Sequence, residues 1–262
     1  KPFLILQLRP EAEAADNEFA AICAKGGLAM DEVQRVRLDC ENLPENLELA
    51  DYAGVIVGGG PGCVSDPPVK KTELEASIEE QILGLMPQIT EQDHPFMGCC
   101  YGLGILAHHL GGDVSKSQFG EPVGPSDCAL TVDADNDPLT TGLPAAFQAF
   151  VGHKEAVQTL PEGCVHLVRS DPCPIQMIRY GQNVYATQFH PEADAFDFER
   201  RIRIYRNHGY FPPEQADDLI KRCHGAEVNV PGEISGALLH AMADMAEGRE
   251  LTIARLAGSA LG

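Results

Sequence analysis

The sequence predicts an α/β domain built on one mostly parallel sheet with helices on both faces, and three observations predict it. Through the first 110 residues short apolar runs alternate with stretches of helical periodicity, the pattern of a parallel sheet whose functional site lies at the carboxyl ends of its strands. From about residue 128 to 189 the texture changes to short strands separated by Gly, Pro and Asp turns, which predicts antiparallel strands added at the sheet edge. After Glu192 the remaining chain carries only helical stripes.

The elements follow in order. Residues 3–8 form a continuous apolar run and read as a buried first strand, 11–24 as a helix, 33–38 and 53–57 as further strands. Thr72 and Glu75 make a capping box that opens a helix, with Leu74, Ile78, Ile82 and Leu85 on one face and Pro87 as its stop. Residues 96–98 read as a strand and 103–110, closed by Gly111, as the next helix. Edge strands are expected at 128–132, 149–151, 165–169 and 175–179, and a last strand at 184–189. Phe198, Ile202 and Tyr205 mark one helix, with Gly209 as its stop. Pro213 opens a second with Ala216, Leu219, Ile220 and Cys223 in register, and Ile234, Leu238, Ala241 and Met245 mark a third. Leu239 and Met242 form a spare apolar flank on that helix, and a homodimer is the expectation they raise. No internal repeat or low-complexity linker interrupts the chain.

Composition bounds the function. The 262 residues are 44% hydrophobic, enough to bury roughly 70–75% of the unfolded chain's surface in a single domain. With 39 acidic against 19 basic residues and a net charge of −20, nucleic acid and anionic membranes are excluded as expected partners, since both require cationic surface. No apolar run approaches the ~18 residues of a membrane span. Nine cysteines without a C-x-x-C pair fit neither a disulfide framework nor a structural zinc site and point to a reducing compartment. The start has no charged region followed by an apolar one, and the cytoplasm is the expected location.

Three motifs carry chemistry. Gly98-Cys99-Cys100-Tyr101-Gly102 lies between a strand and a helix, where residues without a β-carbon allow a tight, strained turn. Such a turn presents the Cys100 sulfur at a helix N-terminus, where backbone N–H groups favour a thiolate; the competing reading is two buried cysteines, with Cys99 the one expected under the sheet. In Gln188-Phe189-His190-Pro191-Glu192 the proline turns the chain so that Glu192 can hold one imidazole nitrogen and leave the other to accept a thiol proton. Half of a two-histidine, one-carboxylate iron site, completed by His208 or His224, is the rival for this motif. The run Val55-Ile56-Val57-Gly58-Gly59-Gly60-Pro61-Gly62 follows a short strand, and the amides of Gly60 and Tyr101 together would form an oxyanion hole. A phosphate loop is excluded there, because no Gly-Lys-Ser/Thr and no G-x-G-x-x-G opening a helix is present.

The order Gly-Gly-Gly-Pro, Gly-x-Cys-Tyr-Gly and Phe-His-Pro-Glu resembles the class I, or triad, glutamine amidotransferases, and among them stand-alone domains similar to the glutaminase part of GMP synthase. The resemblance implies a flavodoxin-like domain over residues 1–192 with a helical extension, 193–262, packed on it. It implies Cys100 as nucleophile, His190 as general acid and base, Glu192 as the orienting residue, Gly60 and Tyr101 as oxyanion amides, and no cofactor or metal. The substrate would be glutamine or another γ-glutamyl amide, and the expected partner an ammonia-accepting synthase. Where the family has a substrate-binding glutamine four residues after the cysteine, this chain has Gly104, which would leave more room and also fits a γ-glutamyl peptidase. Gly152, His153 and Glu155 stand where the family's Ser-His-x-Asp holds substrate, so they are candidate pocket residues; a loop histidine and a solvated acid are the competing readings. A catalytically silent, partner-binding domain is the remaining alternative.

Overall fold

The structure is a computed structural model that describes residues 1–248. Its parallel part is assembled from β1 (Phe3–Gln7), α1 (Ala12–Gly26), β2 (Val33–Arg37), β3 (Gly54–Val57), α2 (Glu73–Glu91), β4 (Phe96–Cys99) and α3 (Tyr101–His109). Then follow β5 (Val114–Ser115), β6 (Glu121–Leu130), β7 (Ala146–His153), β8 (Ala156–Val157), β9 (Cys164–Ser170), β10 (Met177–Tyr180) and β11 (Val184–Thr187). The helices α4 (Ala195–Tyr205), α5 (Ala216–His224) and α6 (Val230–Ala246) complete the described chain.

Nine strands form one sheet in the order β2, β1, β3, β4, β11, β10, β9, β6, β7. The first five pair in parallel and the last four extend the sheet through antiparallel pairs, so the parallel half has the 2-1-3-4-5 order of a doubly wound sheet. Alternation along β1 sends Leu4 and Leu6 into the core under α2 and α3, and Phe3 and Ile5 into the core under α1 and α6. A third cluster joins Phe150 of β7 to Phe198 and Ile202 of α4 and Leu219 of α5. A small ladder of β5 with β8 lies beside the main sheet. No helix among the described residues is long and apolar enough to cross a membrane.

Four expectations are corrected. Thr72 does cap α2, accepting from Glu75 N, but the helix runs through Pro87 to Glu91; burial of Met86 and Ile89 on either side of the proline offsets the roughly 3 kcal/mol it costs in a helix interior. Leu74, placed on the apolar face by its spacing, is 39% exposed, because it sits in the first turn, beyond the sheet. The strand expected at 128–132 begins at Glu121 and leaves the ladder at Leu130; Pro122, Gly124 and Pro125 disguised it, and the register shifts between Glu121 and Gly124 to accommodate them. Leu239 and Met242, read as a spare flank for a second copy of the chain, are 1% and 0% exposed, buried within this chain against α1 and β3.

Candidate active site

The site gathers at the carboxyl ends of β1, β3, β4 and β11. Between β4 and α3 the chain turns on one residue, Cys100, at φ +54° and ψ −94°, a conformation that costs a residue with a β-carbon on the order of 1–3 kcal/mol. The turn is pinned by Cys100 N–H donating to Thr187 O at 2.7 Å, and by the Cys100 carbonyl accepting from Leu103 N at 3.0 Å. The flanking glycines serve close approach: a β-carbon on Gly98 would lie 2.8 Å from the Gly102 backbone, and one on Gly102 would lie 3.2 Å from Val57 O. Cys99 is fully buried beneath.

His190 leaves the end of β11 with its backbone N–H donating to Phe150 O at 2.9 Å. Its Nδ1 lies 2.9 Å from Glu192 Oε1, which Arg201 Nη1 also approaches at 2.9 Å. A carboxylate only accepts, so Nδ1 carries the ring proton and Nε2 is left with a lone pair. The imidazole stands against the glycine loop, since a β-carbon on Gly59 would meet His190 Cε1 at 2.7 Å. The amides of Gly58 and Gly59 are used by the fold, donating to Leu6 O and to Glu18 Oε2; Gly60 lines the cavity beside Cys100 and Tyr101.

Electrostatics sets the resting protonation. Burial pushes the Cys100 thiol up to about 12, with Arg9 pulling it down and Glu155 and Glu192 adding to the rise. The thiolate expected from the helix N-terminus is therefore not the resting form: loss of solvation outweighs the dipole. Burial also lowers His190 below its ordinary value, opposed by Glu192 and reinforced by Arg201 and Arg9. Glu192, although burial pushes it up, is held well below the usual carboxylate range by His190 and Arg201. The site rests as neutral thiol, neutral imidazole and a carboxylate paired with Arg201.

Cys100 stands where two cavities meet. One, enclosing about 420 Å³ of atom-free space open in part to solvent, is lined by Gly104, Gly152, His153, Glu155 and Gln188, which brings all four expected pocket residues together. His153 and Glu155 are both 7% exposed, so neither is a solvated loop residue. His153 Nε2 meets Glu121 Oε2 at 2.9 Å, and Glu155 binds the loop after the glycine run. The room expected at Gly104 is occupied by the Glu155 carboxylate. The other cavity contains His190, Arg9 and Arg201.

His208 and His224 lie away from His190, beside Glu11 and Glu199, so the iron-site rival finds no third ligand in them. Among the described residues only Glu121, His153 and Cys173 bring ligand atoms together at metal-binding separation. Their lone pairs are engaged: Glu121 accepts from Ser126 Oγ at 2.6 Å and from Gln176 Nε2, and the Cys173 thiol donates to Ile175 O.

Sequence reasoning missed Arg9, Glu18, Arg201 and the contact of Gln188 Nε2 with Cys100 Sγ at 3.7 Å. A signal existed for one of them: Arg201 interrupts the apolar stripe of Phe198, Ile202 and Tyr205 at helical spacing.

A doubly wound α/β sheet with a thiol on a strained turn and a buried His–Glu pair opening on the same cleft defines an amide-processing class of α/β proteins, and the chain's relatives say which one. The glutamine amidotransferase class-I pattern matches residues 15–214, and the chain belongs to that family. It is 32% identical over 164 residues to GMP synthase (glutamine-hydrolyzing) of Thermosipho melanesiensis, covering 60% of this chain and 28% of that protein. Against a separately encoded piece of GMP synthase (glutamine-hydrolyzing) from Archaeoglobus fulgidus it is 30% identical over 168 residues, 64% of this chain and 80% of the relative. The chain thus spans under a third of the length of the full GMP synthases it matches. Among solved structures, a glutamine amidotransferase from Thermotoga maritima shares the fold at TM-score 0.70 and 19% identity, over 94% of this chain and 97% of that one.

Proposed function

We propose that this chain hydrolyses the γ-carboxamide of glutamine through a γ-glutamyl thioester on Cys100, releasing ammonia. The observation that carries the reading is the meeting of Cys100 and His190 on one cavity wall, with His190 Nδ1 held by Glu192 at 2.9 Å so that the opposite nitrogen is the base. As the sulfur attacks the carboxamide carbon, its proton passes to His190 Nε2 and the carbonyl π pair moves to oxygen. The amides of Gly60 and Tyr101 receive that oxyanion, each donor being worth about a hundredfold or more in rate. The C–N bond then breaks, the same proton goes to the leaving nitrogen, and water repeats the sequence on the thioester. Because thiol and imidazole rest neutral, His190 acts as a general base during attack.

Two of the relatives are themselves named as single subunits of GMP synthase; by analogy, the ammonia made here passes to a separate acceptor synthase. Steady-state ammonia release from glutamine, with Cys100→Ala as control, tests the reading. Loss of release in the folded variant is the expected outcome. Absence of release from the parent enzyme, together with no labelling of Cys100 by a glutamine-analogue electrophile, would overturn it.

A further inference from the structure

The two cavities that meet at Cys100 are chemically unlike. The first is reached past Gly104 and Glu155 and does not include His190. The second does include it, encloses about 490 Å³ of atom-free space open in part to solvent, and shares only Gly60, Cys100, Gly152 and Tyr210 with the first. In the reaction proposed above, on which this inference rests, His190 returns its proton to the leaving nitrogen. The cavity on the His190 side is therefore the one the leaving group enters, and the other holds the acyl part.

Ammonia needs no cavity of that size. Its walls carry Phe198, Tyr205 and Phe211, and its charged lining residues other than His190 are Arg9 and Arg201, with no acidic side chain among those described. Arg201 is 5% exposed and gives Nη1 to Glu192, while its Nε and Nη2 have no hydrogen-bond partner among the described residues. Leaving buried donors of a charged group unmatched is costly, and a guanidinium fork fits a carboxylate. Arg9, paired with Glu18 at 2.8 Å and held by Tyr205 at 3.2 Å, brings a second positive charge to the same wall.

We infer that this cavity is a leaving-group subsite for a carboxylate, so that the enzyme cleaves N-(γ-glutamyl) amino acids, with Arg201 and Arg9 receiving the carboxylate of the departing amino acid. Cys100 sulfur bonds to the γ-carbonyl carbon and the C–N bond breaks. The amino acid nitrogen takes the proton held by His190, and water then cleaves the C–S bond, giving glutamate and the free amino acid with no further reactant.

The test compares kcat/KM for glutamine, γ-glutamylglycine and its neutral counterpart γ-glutamylglycinamide. The dipeptide is expected to exceed the glycinamide by about ten-fold or more, the scale of a charge-assisted hydrogen bond. Arg201→Met lowers turnover of all three, because it also frees Glu192, and its diagnostic is the collapse of the dipeptide-to-glycinamide ratio toward one. Val123→Phe, at a half-buried cavity wall outside the catalytic groups, should depress the dipeptide about ten-fold relative to glutamine on the same scale and serves if Arg201→Met does not fold. Glutamine turnover with an inert dipeptide, or equal rates for dipeptide and glycinamide in the parent enzyme, overturns the subsite while leaving glutamine hydrolysis standing. No turnover of any of the three removes both.

Discussion

Glu155 Oε1 lies 3.0 Å from the point a β-carbon on Gly104 would occupy. The same carboxylate accepts from Val64 N and Ser65 N, each at 3.0 Å, and from Ser65 Oγ at 2.7 Å. One buried acid thus joins the turn after β7 to the segment that follows the Gly58–Gly60 loop, and α3 must be bare at residue 104 to admit it. The glycine is a consequence of that strut, and it adds no room for a larger substrate on the acyl side.

Replacing Glu155 by Gln turns one acceptor into an N–H group facing a backbone donor. Each buried bond lost this way costs about 1–3 kcal/mol, so the melting temperature should fall. Because the freed loop carries Gly60, the proposed oxyanion donor, kcat should drop by about ten-fold or more with KM less affected. Gly104→Gln should reproduce both effects by displacing the carboxylate. A kcat unchanged in either variant would separate Glu155 from the loop's geometry.

Cys100 combines the proposed nucleophile with a left-handed backbone, so chemistry and stability should part company there. Cys100→Gly removes the strain of φ +54° and should abolish turnover while raising stability by about 1 kcal/mol, or roughly 2–4 °C for a chain of this size. Cys99→Ala, one residue earlier and fully buried, should destabilise the fold and keep most turnover. Thermal unfolding beside an amide-hydrolysis assay reads both, and equal loss of turnover at the two positions would argue against Cys100.

The parallel half of the sheet was legible in the sequence because its strands are short continuous apolar runs, as strands buried on both faces are. The first half of β6 was not, since Pro122, Gly124 and Pro125 carry turn chemistry into a strand held by its neighbours β7 and β9. In the cleft, local motifs bring Cys100 to its turn and Glu192 to His190, because strand, turn and side-chain reach are set by adjacent residues. Arg9 and Glu18 meet only once α1 packs on β1, and Arg201 reaches Glu192 only once α4 covers the end of β11. Buried charges read from sequence look like surface charges until their partners are known.

Activity should depend on pH through His190, which must be neutral to take the thiol proton. Its pKa is lowered from 6.5, chiefly by burial. As pH falls, kcat/KM should therefore hold through 6.5 and decline only below it. Glu192 raises that pKa, so Glu192→Gln should move the acid limb lower still while cutting kcat by roughly a hundredfold or more through loss of the ring's tautomer. On the alkaline side Cys100 introduces no break below about 12. An acid limb that moves upward in Glu192→Gln would contradict the assignment.

The flank of α6 offers a test of packing that is independent of chemistry. A β-carbon on Gly26 would lie 2.5 Å from Leu239 Cδ1, so α1 and α6 approach where one residue is as small as it can be and the other fills the space. Leu239→Ala should cost about 2–5 kcal/mol through the cavity it opens. Gly26→Ala should cost about 1–3 kcal/mol by overpacking, partly offset by the roughly 1 kcal/mol that alanine gains over glycine in a helix. In the double variant the new methyl enters the space vacated by the leucine, so the two losses should not add, and the coupling should fall at about 0.5–3 kcal/mol in the stabilising direction. Denaturant unfolding of the four proteins measures it, and strict additivity would mean that Leu239 does not pack against α1 in solution.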